Sequence, residues 1–213
     1  MIIKVCGMLD PGNIREVAAI QGIDMIGMIF YPKSLRYVDS PGTAATVLNL
    51  KKTGIVGVFV NESPEAIAWK SASYHLDYIQ LHGNESPDYL KTLKNIIPSS
   101  IQLIKAITVR SNEDLQHLQD YEGLCEYLLF DTPTGSYGGS GHTFDWNLLQ
   151  DYAGPIPFLL SGGIGPNSIE TLLNFKHPFW AGLDLNSRFE TEPGVKDVAL
   201  ISDFVRQIKT QFP

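Results

Sequence analysis

One pattern repeats along all 213 residues: a short apolar run, a glycine or polar stop, then a stretch whose apolar residues recur at helical spacing. The runs are IIKVC (2–6), DMIGMIF (24–30), GIVGVFV (54–60), DYIQLHG (77–83), IQLIKAI (101–107), EYLLFD (126–131), PFLLSGG (157–163) and WAGLDLN (180–186). Between them lie segments such as PGNIREVAAIQG, SPEAIAWKSASYHL, SPDYLKTLKNI and SNEDLQHLQDYEG, which open on Ser, Pro or Asn and carry early acids or amphipathic spacing. Strands that alternate with helices run parallel, and near-continuous apolar strands are covered on both faces. Eight units of roughly 27 residues sit near the lower size limit of a closed barrel, so the expected fold is α/β, a single (β/α)8 TIM barrel with eight parallel strands filling 1–213 as one domain. An open doubly wound sheet is the runner-up, but no Gly-rich dinucleotide fingerprint or P-loop follows an early strand.

Composition narrows what such a barrel acts on. Sixteen basic against twenty-three acidic residues give a net charge of -7, a field that repels nucleic acid and anionic membranes. No basic leader followed by an apolar core opens the chain, and no apolar stretch reaches the length of a membrane span, so a cytoplasmic protein is expected. Two cysteines, Cys6 and Cys125, and five scattered histidines offer no disulfide framework and no metal-ligand spacing. An anionic substrate would then be held by local backbone amides rather than by a basic surface.

Barrel chemistry sits at the C-terminal ends of the strands. In the first run, alternation sends Ile3 and Val5 outward and leaves Lys4 and Cys6 facing inward. A nearby ammonium favours a thiolate, which would let Cys6 act as a base, although buried free cysteine is more often inert packing. Asp131 closes YLLFD in parity with Tyr127 and Leu129, at the barrel mouth. Burial there would raise its pKa and suit it to general acid work; an Asx turn before Thr132-Pro133 is the plainer alternative. The glycine-rich TGSYGGSGHTFDW (134–146) follows directly and reads as a lid or a connector.

SGGIGPNSIETLL (161–173) puts Gly162 and Gly163 between a strand end and a helix start, a pattern that lets amides approach an anion, or that merely makes a tight turn. DLNSRFE, at the end of run eight, adjoins it, and loops seven and eight commonly bind phosphate in barrels. Lys33 and Arg36 in YPKSLRYV supply positive charge near the same face, and an arginine fork suits a carboxylate. Phe30, Tyr31 and Tyr37 would wall an aromatic ring or belong to the core.

Taken in order, KVCGM, FYPKSLRYV, QLHG, LLFDT, GGSGHTFDW, SGGIGPNSI, GLDLNSRFE and PGVKD resemble the phosphoribosylanthranilate isomerase family of tryptophan biosynthesis over nearly the whole chain. The resemblance implies an Amadori rearrangement of the small-molecule substrate phosphoribosylanthranilate, with no metal or organic cofactor, in a monomer or homodimer. It implies Cys6 as general base and Asp131 as general acid. Arg36 would contact the anthranilate carboxylate, with Gln80, His82 and Asp184 also on the substrate and Gly162, Gly163, Ser187 and Arg188 on the phosphate. The chain departs from the family pattern at Leu35, where proline is common, at His142, and at Arg188, where glycine is common and a guanidinium would instead help hold phosphate.

Two rival functions remain open at this level. Another phosphosugar barrel would need metal ligands or paired carboxylates as an epimerase, or a strand-end lysine facing inward, for which Lys105 is the candidate, as a Schiff-base aldolase. A binding-only barrel would hold the phosphate ligand without turnover.

Overall fold

A computed structural model describes residues 1–50, 52–131 and 146–212. The eight runs form eight parallel strands that close on themselves in sequence order. They are β1 (Ile2–Val5), β2 (Met25–Ile29), β3 (Gly54–Phe59), β4 (Tyr78–Leu81), β5 (Gln102–Thr108), β6 (Tyr127–Asp131), β7 (Phe158–Leu160) and β8 (Trp180–Leu185). The seam is sealed by β1 against β8, in a register that sets Ile2 opposite Gly182 and Lys4 opposite Asp184.

Four outer helices start the same way, with a capping side chain and a proline behind it. α1 (Pro11–Ala18), α2 (Pro41–Val47), α3 (Pro64–Tyr74) and α4 (Pro87–Lys94) are capped by Asp10, Ser40, Ser63 and Ser86, each side chain accepting from a first-turn amide. Proline at the first helical position removes an N–H that would have had no partner and presets φ for the turn. After β5 the pattern changes. SNEDLQHLQDYEG forms two short 3-10 turns, Asn112–Leu115 and Leu118–Tyr121, instead of the helix its spacing suggested. His117 between them sits at φ 61°, a left-handed kink that a continuing helix does not permit. α5 (Ile169–Asn174) is short and α6 (Val198–Gln211) is the longest helix, capped by Asp197.

The core has two shells. Outward-facing strand residues such as Ile3, Val5, Ile26, Met28, Leu128 and Phe130 meet the helices. Inside the barrel, Met25, Val56, Ile104, Ala106, Leu129 and Leu159 form a separate plug, flanked by Ile2, Tyr78 and Tyr127. This interior filling raises the floor of any cavity to the level of Lys4 and Gln80. Phe30 belongs to the outer shell, packed on Phe59 and Tyr74, so it is core and not a wall for an aromatic ligand. No described helix is long and apolar enough to cross a membrane.

Candidate active site

Above the apolar plug the inward positions turn polar. The mouth holds a cavity of ≈ 330 Å³ lined by Cys6, Gln80, His82, Asp131, Ser161, Gly162, Gly163, Asp184, Asn186 and Ser187, with Ile29 and Val58 as apolar walls. Eight of the ten site residues named from sequence thus meet at one place, each carried by the C-terminal end of a strand or the residues just after it.

Cys6 is 3% exposed, and its amide extends the ladder by donating to Leu185 O at 2.8 Å. Space for its sulfur comes from β2: a Cβ on Gly27 would stand 2.9 Å from Sγ, closer than two such atoms pack. Lys4, fully buried below, donates to Asp184 Oδ1 at 2.8 Å. Ser161 Oγ approaches the other carboxylate oxygen at 3.4 Å. Burial disfavours the charged form of Lys4, but the Asp184 carboxylate and the neighbouring Cys6 outweigh it, so its pKa is raised. The thiol moves the opposite way from the sequence expectation. Burial pushes the Cys6 pKa above its ordinary value, Asp184 adds to the rise, and Lys4 and Lys196 pull down without reversing it.

Across the cavity, Asp131 is about a third exposed, and its Oδ2 lies 3.3 Å from His82 Nε2. Gln80 Nε2 meets His82 Nδ1 at 2.8 Å; with the amide donating there, the ring proton sits on Nε2 and points at Asp131. Gln80 Oε1 is buried and without a partner among the described residues, an acceptor left for whatever fills the cavity.

Gly162 and Gly163 take φ values of 82° and 69°, the left-handed region, and both line the cavity. The element beyond is a 3-10 turn, Pro166–Ser168, leading into the short α5, so the helix contributes little dipole and the loop amides do more. Ser187 stands opposite at the start of the 3-10 turn Ser187–Phe189. Arg188 is exposed, does not line the cavity, and lays its stem against Gly165. Its φ is not positive, so the local backbone takes a side chain without strain where a glycine was expected.

Arg36 also lies outside the cavity lining. Its guanidinium forks onto Glu190, Nε to Oε1 at 2.8 Å and Nη2 to Oε2 at 2.5 Å. Glu190 was not singled out in the sequence, because nothing local marks a carboxylate 154 positions away as a partner of Arg36. Lys33 is exposed. Lys105 faces outward, away from the barrel interior, with Nζ 3.0 Å from Glu85 Oε2 and bonded to the carbonyls of Leu81, Gly83 and Ala106. The inward cluster takes Ile104 and Ala106 instead, so a Schiff-base lysine is not presented to the cavity. Among the described residues no group of three or more His, Cys, Asp or Glu is arranged to hold a metal ion. The GGSGHTFDW loop, with His142, lies outside the described residues up to its last position, Trp146.

Residues 3–207 match the family model of N-(5'-phosphoribosyl)anthranilate (PRA) isomerase. The chain is 50% identical over 213 residues to the N-(5'-phosphoribosyl)anthranilate isomerase of Parabacteroides distasonis, covering 98% of this chain and 93% of that protein. Its backbone superposes on the crystal structure of phosphoribosyl anthranilate isomerase from Thermotoga maritima with a TM-score of 0.84 at 34% identity, over 99% of this chain and 100% of that one. A second structure is similar at TM-score 0.82 and 31% identity, over 99% and 100% of the two chains. It is a phosphoribosyl anthranilate isomerase in complex with reduced 1-(o-carboxyphenylamino)-1-deoxyribulose 5-phosphate. With fold and sequence in agreement, the chain belongs to the N-(5'-phosphoribosyl)anthranilate isomerase family of (β/α)8 barrels.

Proposed function

We propose that this chain isomerises N-(5'-phosphoribosyl)anthranilate with Asp131 as acid and Cys6 as base. The observation that carries the assignment is that the two side chains line one cavity from different strands, beside the Gly162-Gly163 amides and Ser187.

In the first step Asp131 gives its proton to the furanose ring oxygen as the C1–O bond breaks, and the nitrogen lone pair forms a C1=N Schiff base. In the second, the Cys6 thiolate removes the C2 proton; the C–H electron pair becomes the C1=C2 bond and the imine pair returns to nitrogen, giving an enolamine. The 2-hydroxyl proton then replaces the one Asp131 lost, C1 takes the proton held on sulfur, and the ketone forms with both side chains restored. His82 holds Asp131 by the Nε2–H bond, and Gln80 fixes the imidazole in that tautomer. Lys4 offsets part of the cost of ionising Cys6 in a dry site. Loop amides of Gly162 and Gly163 with Ser187, and the neighbouring Arg188, take the phosphate, which suits a protein with a net charge of -7. Gln80, His82 and Asp184 border the sugar, and Arg36 takes the aryl carboxylate.

Residues 1–213 work as one catalytic domain, as a monomer or a homodimer, in the cytoplasm. The test is steady-state conversion of freshly generated phosphoribosylanthranilate, followed by its fluorescence, beside Cys6→Ser and Asp131→Asn. Each variant is expected to lose about 10³-fold or more in kcat while keeping its fold. Near-wild-type turnover in either one overturns that residue's role, and ligand binding without turnover by the folded wild type would point to the binding-only barrel.

A further inference from the structure

Two cations share one carboxylate beside the active site. Glu190, at the start of β9 (Glu190–Glu192), takes the Arg36 fork on both oxygens, and Lys196 Nζ reaches its Oε1 at 2.6 Å. The Gly194 amide adds a third donor to the same oxygen at 3.1 Å. Lys196 has no exposed side-chain surface, and its Nζ also donates to Asn186 Oδ1 at 2.8 Å, tying the pair to a residue that lines the cavity. The lysine is itself held by its backbone: its N–H donates to Asn13 Oδ1 and its carbonyl accepts from Asn13 Nδ2, clamping β10 (Val195–Lys196) to α1. A buried lysine and its two-residue strand are thus fixed from both sides, and the carboxylate they hold has no other described duty.

The arrangement leaves a positive surplus of one and a guanidinium with one edge occupied. Nε and Nη2 are bound to Glu190, while Nη1 makes no bond among the described residues and the side chain is 21% exposed. An arginine that met a ligand carboxylate through an unbraced stem would first have to give up the rotamer freedom of a long side chain; a fork already seated on Glu190 has given it up.

We propose that Glu190, anchored by Lys196 and Gly194, is a positioning residue that fixes Arg36 so that its free Nη1 edge receives the aryl carboxylate of the substrate. The inference rests on the reading of Arg36 as the carboxylate contact, and a ligand pair separates the two. Simple electrostatics opposes the proposal: removing the negative charge of Glu190 makes the neighbourhood more positive, which alone would tighten an anion. Positioning predicts the reverse sign.

The experiment is calorimetric titration of the wild type, Glu190→Gln and Glu190→Asp with reduced 1-(o-carboxyphenylamino)-1-deoxyribulose 5-phosphate and with its analogue lacking the ring carboxylate. Steady-state kinetics on the substrate run in parallel. For the wild type, the carboxylated ligand binds more tightly than its analogue. In both variants that preference falls by about tenfold, the scale of one charge-assisted hydrogen bond, while Kd for the analogue stays within about twofold. KM rises with kcat little changed, because the reacting centre is untouched. Glu190→Asp keeps the charge but is one methylene too short for the fork, so its loss identifies geometry as the cause. Unchanged or tighter binding of the carboxylated ligand by the variants overturns the proposal, as does an equal loss for both ligands, which a structural role would give. A wild type that fails to distinguish the two ligands instead overturns the reading of Arg36, and the positioning role with it.

Discussion

Cys6 sits in an environment that resists ionisation. Its pKa is raised by burial, with Lys4 opposing. The thiolate of the free protein, followed by its ultraviolet absorbance, should therefore appear only as pH rises past the thiol's ordinary range near 9; a thiol already ionised at pH 7 would contradict this. Replacing Lys4 by Met removes the ammonium that most favours the thiolate, leaves Asp184 buried without its partner, and is expected to move that ionisation further alkaline while lowering stability by about 3–5 kcal/mol. Thermal unfolding and the thiol titration, measured on the same sample, check both parts. At this scale the sequence was informative where alternation applies: Ile3 and Val5 out, Lys4 and Cys6 in, Asp131 with Leu129. It could not disclose that the sulfur is almost fully buried, or that Asp184, 180 positions from Lys4, shares the lysine's charge, and these two facts set the direction of the thiol shift.

Strands and helices place these groups, and two elements carry distinct liabilities. On β2, Gly27 gives Cys6 its space; Gly27→Ala would set a Cβ 2.9 Å from Sγ and 3.2 Å from the Cys6 Cα, so the sulfur or β1 must move. The expected result is a fall in kcat of about 10²-fold, with a smaller change in stability than a core cavity would give, read by turnover and melting together. On β5, the buried Lys105–Glu85 pair is a brace and not a reagent. Glu85 also accepts from the amides of Asn61 and Gly83, so it ties the ends of β3 and β4 together, next in sequence to His82. Lys105→Met would strand that carboxylate and cost about 3–5 kcal/mol, measured by denaturant titration. The helix starts were legible because Asp10-Pro11, Ser63-Pro64 and Ser86-Pro87 are local signals that need no tertiary partner. The segment 112–121 was not, since its leucines have helical spacing but only Leu118 is buried, and nothing local marks the left-handed break at His117.

For the molecule as a whole, eight repeats were enough to predict a barrel, because eight parallel strands buried on both faces have few other ways to close. What holds the mouth in shape comes from contacts between ends of the chain, Arg36 to Glu190 and Lys4 to Asp184, and no window of sequence reveals those. The first of these contacts should be felt in acid. Burial opposes the charge on Glu190, yet the bonds from Arg36 and Lys196 hold its carboxyl at about 2, against an ordinary 4.5. A depressed folded value means the contribution is present above pH 4.5 and is lost as pH falls toward 2, an effect of about 3 kcal/mol at most. Stability measured from pH 6 to 2 should therefore fall less steeply in Glu190→Gln than in the wild type; parallel curves would contradict it. The division of labour at the mouth is the central claim, and the hydrogen on C2 tests it most directly. Residual turnover of substrate carrying deuterium at C2 should show a large isotope effect in Cys6→Ser, where proton removal limits the rate. In Asp131→Asn, where ring opening limits, the effect should be close to one. The reverse pattern would mean that the acid and base have been assigned to the wrong side chains.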